Sequence, residues 1–179
     1  MNKQEIRKEI KALKLALTDN ERKQSAHAVF AKIEGMTAFH LAQRILLYNA
    51  LPDELPTYEH IKKWALRKQI FLPRVNGEEL EILQYDPNDL RIGAFGIEEP
   101  QGNNIVDPNS IDLIIVPAVA FDTACNRLGR GKGFYDRLLT KTRATTIGVG
   151  YDIQLISDVI PTEPHDVKLD YVITPTFSE

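Results

Sequence analysis

Cysteine is nearly missing from this chain: Cys125 is the only one in 179 residues, so no intramolecular disulfide can form. None of the four histidines stands at zinc-site spacing with it or with another. A chain so poor in cysteine suits a reducing compartment, and a cytoplasmic location is expected. Long apolar runs are also absent; none approaches the roughly 20 residues that a membrane-spanning helix needs. The opening MNKQEIRKEIKALK is too charged to hold the apolar centre of a secretory signal. Basic excess is lacking too. With a formal net charge of −3, the surface as a whole cannot act as a nucleic-acid platform, which relies on neutralising many phosphates. Any anion site must be local, and neither nucleic acid nor membrane is an expected partner. There is no internal repeat and no low-complexity tract.

What remains is a globular composition, 43% hydrophobic and 26% charged, in a length that suits one domain over residues 1–179, expected as a monomer. Ile6, Ile10, Leu13 and Leu17 recur at helical spacing among Lys and Glu, predicting an amphipathic first helix. Thr18 with Glu21 forms a capping-box pattern that opens a second helix through about Phe39. RILLYNA reads as a buried strand, followed by the polar loop NALPDELPT; Thr57 is the expected cap of a third helix, YEHIKKWALRKQ. IFLPRV and LEILQY read as a hairpin about NGEE. The stretch from Asp86 to Asn109 reads mostly as loop, and IDLIIVPAVAFD as the most apolar strand. FYDRLLTKT (helix), TTIGVG (strand), DIQLISDV (short helix) and LDYVIT (strand) complete the pattern. This alternation predicts an α/β fold: a single three-layer domain with a mostly parallel central sheet flanked by helices. Ligands of such sheets gather beyond the carboxyl ends of the strands. The loops NALPDE, FDTACNRLGRGKG and GYDIQ are therefore candidates to share one cleft.

One of these loops runs into NRLGRGKGFYDR, with Gly129, Gly131 and Gly133 interleaved by Arg127, Arg130 and Lys132. Glycine permits positive φ and close approach of a ligand to backbone N–H groups, so the loop can wrap an anion. It is not a P-loop, because Lys132 is followed by Gly133 rather than Ser or Thr, and it lacks the dinucleotide G-x-G-x-x-G spacing. Residue types alone leave a solvated basic turn open as the other reading. Asp136 and Asp166 are the carboxylates to pair for magnesium, which takes one or two such groups beside phosphate oxygens, provided both face one cleft; an Asp placed like Asp166, taken singly, is more often a helix cap or turn residue than a ligand. Lys3, Arg7 and Lys14 border the apolar stripe of the first helix, where their tips either reach over the buried face or stay in solvent. Tyr48, Asn49, Asp53 and Glu54 surround the end of the first strand, as readers of a small polar molecule or as turn chemistry around the prolines.

VPAVAFDTACNRLGRGKGFYDR resembles the signature of the 5-formyltetrahydrofolate cyclo-ligase, or methenyltetrahydrofolate synthetase, family. KQEIRKEIKAL, LPDELPT, GIEEP and PTEPHDVKLDYVIT resemble further family segments in the same order, so that the likeness spans almost the full length. The resemblance implies an enzyme that uses ATP and Mg2+ to convert 5-formyltetrahydrofolate to 5,10-methenyltetrahydrofolate, releasing ADP and phosphate. It implies ATP contacts at Lys3, Gln4, Glu5, Ile6 and Arg7, and again at Arg127, Leu128, Gly129, Arg130, Gly131, Lys132, Gly133, Phe134 and Tyr135. It assigns the folate to Leu51, Glu54 and the Arg130–Phe134 stretch (Arg130, Gly131, Lys132, Gly133, Phe134). Catalysis falls to Arg130, Lys132 and Tyr135, and the metal to Asp136 and Asp166. The chain departs from the family pattern at three positions: Ala118 and Cys125 replace glycines and Phe134 replaces a tyrosine. Cys125 in particular is expected where the turn avoids positive φ. The alternatives are a sugar-phosphate isomerase or CoA-transferase-like enzyme on a related sheet, and a nucleotide-binding regulator without turnover.

Overall fold

A computed structural model of the chain describes residues 1–179. Its helices are α1 (Lys3–Leu15), α2 (Asp19–Glu34), α3 (Thr37–Leu41), α4 (Tyr58–Ala65) and α5 (Phe134–Leu139). Its strands are β1 (Arg44–Leu46), β2 (Gln69–Asn76), β3 (Glu79–Gln84), β4 (Leu90–Ile92), β5 (Glu98–Pro100), β6 (Leu113–Val116), β7 (Ala120–Asp122), β8 (Arg127–Leu128), β9 (Thr145–Val149), β10 (Leu155–Ile156) and β11 (Tyr171–Ile173). Six of them form the central sheet in the order β11-β9-β6-β1-β2-β3. All neighbours in it are parallel except the β2–β3 hairpin. The expected α/β architecture is therefore present.

Strand residues alternate between two cores, as a pleat requires when both faces are covered. Ile45, Leu47, Leu113 and Ile115 pack with Phe30, Ile33 and Trp64 from α2 and α4. Leu46, Ile114 and Val116 point the other way, towards Leu138 and Leu139 of α5. No helix is long and apolar enough to cross a membrane.

A second, three-stranded sheet, β10-β7-β8, stands beside the first because Pro117 ends the run that the sequence presents as one strand. Proline cannot donate to a ladder, and the chain resumes at Ala120 as β7, paired with β8 and β10. Against this small sheet lies α1, with Ile6 and Ile10 packed on Val119, Ala120 and Leu128.

Several expectations are corrected. The first helix ends at Leu15, not Leu17, and its buried line runs Ile6, Ile10, Lys14, leaving Leu13 43% exposed. The capping box of Thr18 and Glu21 forms, but the helix it opens stops at Gly35, before the separate α3. Thr57 makes no side-chain cap; its hydroxyl donates instead to the Tyr48 carbonyl at 2.7 Å, and α4 ends at Ala65. DIQLISDV is a single 3-10 turn followed by β10, since Leu155 and Ile156 find partners on β7. The Asp86–Asn109 stretch holds the β4–β5 hairpin. Cys125 adopts φ 65°, so the turn keeps the left-handed backbone for which the family uses glycine.

Candidate active site

Beyond the carboxyl ends of β1, β2 and β6 lies a cavity of about 480 Å³, within the usual size of a small-molecule site. The glycine loop from Arg127 to Gly133, together with Phe134, Tyr135 and Asp136, forms one wall. Gly131 at φ 102° and Gly133 at φ 73° hold backbone that a side chain would strain, and Gly133 then opens α5 with no side-chain cap. Arg137 fixes the loop from behind, donating to the carbonyls of Lys132 and Glu78.

The cations of this loop divide into two kinds. Arg127 is buried and structural as well as charged: Nε donates to the Pro117 carbonyl at 3.0 Å, Nη1 stands 3.7 Å from Asp136, and the guanidinium lies over the Tyr135 ring. Burial pulls its pKa below the usual arginine value. Arg130 and Lys132 are exposed to the cavity, and Arg130 meets Asp53 at 2.6 Å. Burial pushes the Tyr135 phenol well above its usual range, so it stays protonated and can donate.

Helix α1 closes a second side. It starts with a capping box in which Asn2 accepts from the Glu5 N–H and Glu5 accepts from that of Asn2. This sets Lys3, Gln4 and Arg7 along the cavity. Arg7 Nε donates to the Gly129 carbonyl at 2.9 Å, and Lys3 Nζ reaches Asp166 at 3.1 Å and Glu163 at 3.3 Å. Burial disfavours both charges of the Lys3–Asp166 pair, but bonding outweighs it: Asp166 and Glu163 raise the Lys3 pKa, and the Glu163 N–H together with Lys3 lowers that of Asp166. Glu5 and Ile6, grouped with these residues by the resemblance, lie elsewhere, Glu5 in the helix cap and Ile6 in the small core.

Leu51 and Glu54 line the third side. Glu54 accepts from the Leu51 N–H at 2.8 Å, and burial raises its carboxyl pKa. Tyr48 and Asn49 line the cavity as well; the loop is held by Tyr48, whose hydroxyl donates to Leu55 O, and from outside by Tyr151, whose hydroxyl donates to Glu54 O. The GYDIQ loop thus supports the cavity rather than lining it. Opposite stand Phe95 and Phe134, edge to face with ring centroids 6.2 Å apart. Phe95, Ile97 and the buried Glu99 were missed because their segment is short of periodic pattern; only GIEEP marked it.

Asp136 and Asp166, 30 positions apart, line this same cavity. Asp136 has only the loose Arg127 contact, while Asp166 Oδ2 also accepts from the Glu163 N–H. Two carboxylates beside a cationic glycine loop are a donor set that suits magnesium, which completes its shell with phosphate oxygens and water.

Fold and site define an α/β enzyme with a cationic, glycine-walled cavity at its strand ends. The sequence pattern of the 5-formyltetrahydrofolate cyclo-ligase family matches residues 1–175; the chain belongs to that family, and is a ligase of the carbon–nitrogen-bond-forming kind. It is 33% identical to the 5-formyltetrahydrofolate cyclo-ligase of Haemophilus influenzae over 177 residues, covering 93% of this chain and 94% of the relative. The NMR structure of Aquifex aeolicus 5,10-methenyltetrahydrofolate synthetase superposes with a TM-score of 0.90 at 32% identity, covering 99% of this chain and 92% of that one. The Mycoplasma pneumoniae 5,10-methenyltetrahydrofolate synthetase gives 0.77 at 26% identity, with 98% and 99% covered.

Proposed function

We propose that this protein converts 5-formyltetrahydrofolate to 5,10-methenyltetrahydrofolate in the cytoplasm, consuming ATP with magnesium and releasing ADP and phosphate. The observation that carries the reading is the convergence of the Arg127–Gly133 loop, the Lys3–Arg7 turn and the Leu51–Glu54 loop on one cavity. Family membership and the names of the relatives support the folate chemistry.

A formamide oxygen is a poor leaving group. In the proposed reaction it attacks the γ-phosphorus of ATP, ADP departs, and the formyl carbon becomes an activated imidate phosphate. The folate N10 then attacks that carbon, which closes the ring, and gives up its proton to water; cleavage of the carbon–oxygen bond expels phosphate and leaves the methenyl group. Phosphoryl transfer of this sort is served by positioning and charge neutralisation. Arg7, Arg127 and the loop N–H groups hold the triphosphate; Arg130 and Lys132 offset the charge that gathers on the transferred group; Tyr135 donates a hydrogen bond. Asp136 and Asp166 would hold the magnesium ion, which supplies further neutralisation of phosphate charge when bound. Leu51, Glu54 and the rings of Phe95 and Phe134 receive the flat pterin.

The test is the appearance of methenyltetrahydrofolate absorbance on mixing purified protein with 5-formyltetrahydrofolate, ATP and magnesium. Product that requires all three supports the reading, and folded protein that gives none overturns it. ATP binding without phosphate release would favour a nucleotide-binding regulator.

A further inference from the structure

Lys14 is 2% exposed, although lysine is rarely buried without a partner because removing its charge from water is costly. Its ammonium meets Asp53 Oδ2 at 3.1 Å. The other oxygen of the same carboxylate, Oδ1, accepts from Arg130 Nη2 at 2.6 Å, and that nitrogen also lies 3.9 Å from Glu54. The result is a chain of alternating charge that starts on α1, crosses the loop after β1 and ends on the glycine loop. Arg22 fastens the same two elements a second time, donating to Lys14 O at 2.6 Å and to Pro52 O at 3.3 Å. Arg130 is therefore anchored through one nitrogen. A guanidinium has five N–H donors in a fixed fork, so anchoring Nη2 leaves those of Nη1 and Nε, on a residue lining the cavity, to a ligand.

We propose that Lys14 and Asp53 are positioning residues for Arg130: Lys14 fixes Asp53, and Asp53 orients the guanidinium so that its unanchored edge meets the phosphoryl group. Lys14 also shares the Asp53 charge, which keeps that carboxylate from neutralising Arg130 alone. The catalytic half of this statement rests on the proposed function, whereas the orienting half does not.

Lys14→Met and Asp53→Asn should each lower kcat about tenfold, a loss of roughly 1.4 kcal/mol in transition-state stabilisation, with KM for 5-formyltetrahydrofolate within about twofold. Lys14→Arg should restore most of the rate. In an Arg130→Ala background neither substitution should cause any further loss, because its only route to the chemistry is gone. Losses that multiply in full with Arg130→Ala, or variants as fast as the unaltered protein, overturn the proposal. Orientation is read independently from NMR of the Arg130 side chain. Slow rotation about its Cζ–Nη2 bond in the unaltered protein should speed up in both variants, and an unchanged signal refutes the positioning even if no turnover is found. Absent turnover with the expected NMR change would instead remove the functional reading and leave the positioning standing.

Discussion

Arg7 and Gly129 are 122 positions apart in the chain, yet Arg7 Nε donates to the Gly129 carbonyl at 2.9 Å. One bond thus joins the N-terminal helix to the glycine loop and makes the position of each depend on the other. A charge-assisted bond of this type contributes about 1.5–3 kcal/mol. Arg7→Ala should therefore raise KM for ATP by about tenfold or more. Steady-state kinetics at varied ATP check this.

Arg130 and Lys132 are exposed on the cavity wall, away from the cores. Replacing either by alanine should abolish most turnover, at least about a hundredfold, the size of effect seen when a transition-state donor is removed. Thermal stability should change little. A large fall in melting temperature would instead mark them as structural turn residues.

Gly131, at φ 102°, would place an added Cβ at ordinary contact distance, 3.7 Å, from Arg7 Nη2. The cost of Gly131→Ala is therefore backbone strain rather than a clash, about 1–2 kcal/mol. We expect a melting temperature lower by roughly 2–8 °C, together with weakened ATP binding, measured by calorimetry on the same sample.

Asp122 is buried and accepts four hydrogen bonds: from the N–H groups of Ala124, Asn126 and Ile160 and from the Asn126 side chain. It fastens the turn before the glycine loop to the segment ahead of Asp166. Asp122→Ala leaves those donors unsatisfied and should cost about 3 kcal/mol or more. Denaturant unfolding measures it directly.

Acid should loosen the site only well below neutral pH. Burial raises the Asp53 and Asp166 carboxyls, but bonding from Arg130 and Lys14 in one case, and from Glu163 and Lys3 in the other, outweighs it, so both lie below their ordinary 3.8. A group whose folded pKa is depressed stabilises the fold fully above its unfolded value and loses that contribution as pH falls through the folded one. Stability should thus decline as pH drops below about 3.8, and Asp166→Asn should flatten the decline, as followed by melting temperature against pH.

Much of this was legible in the chain itself. Alternation of buried strands with amphipathic helices determined the α/β class, because burying both faces of a parallel sheet demands apolar runs such as LIIV. The capping box at Thr18 and Glu21 was local chemistry, complete within four residues, and it formed. The loop of Gly129, Gly131 and Gly133 was likewise marked by its composition, and its cations and aromatics line the cavity.

What depended on distant partners was decided by tertiary structure. Lys14 lies buried where helical spacing placed Leu13, because Asp53 supplies a counter-charge that no pattern within α1 can reveal. Thr57 gave up its expected capping role for the Tyr48 carbonyl, and Leu155 and Ile156 became strand because β7 offered a free edge. The sequence by itself determined the kind of layers and the presence of a cationic glycine loop, since these follow from local periodicity and backbone freedom. Only the tertiary structure decided which charges meet around that loop, because a long-range ion pair has no signature within either of the segments that form it.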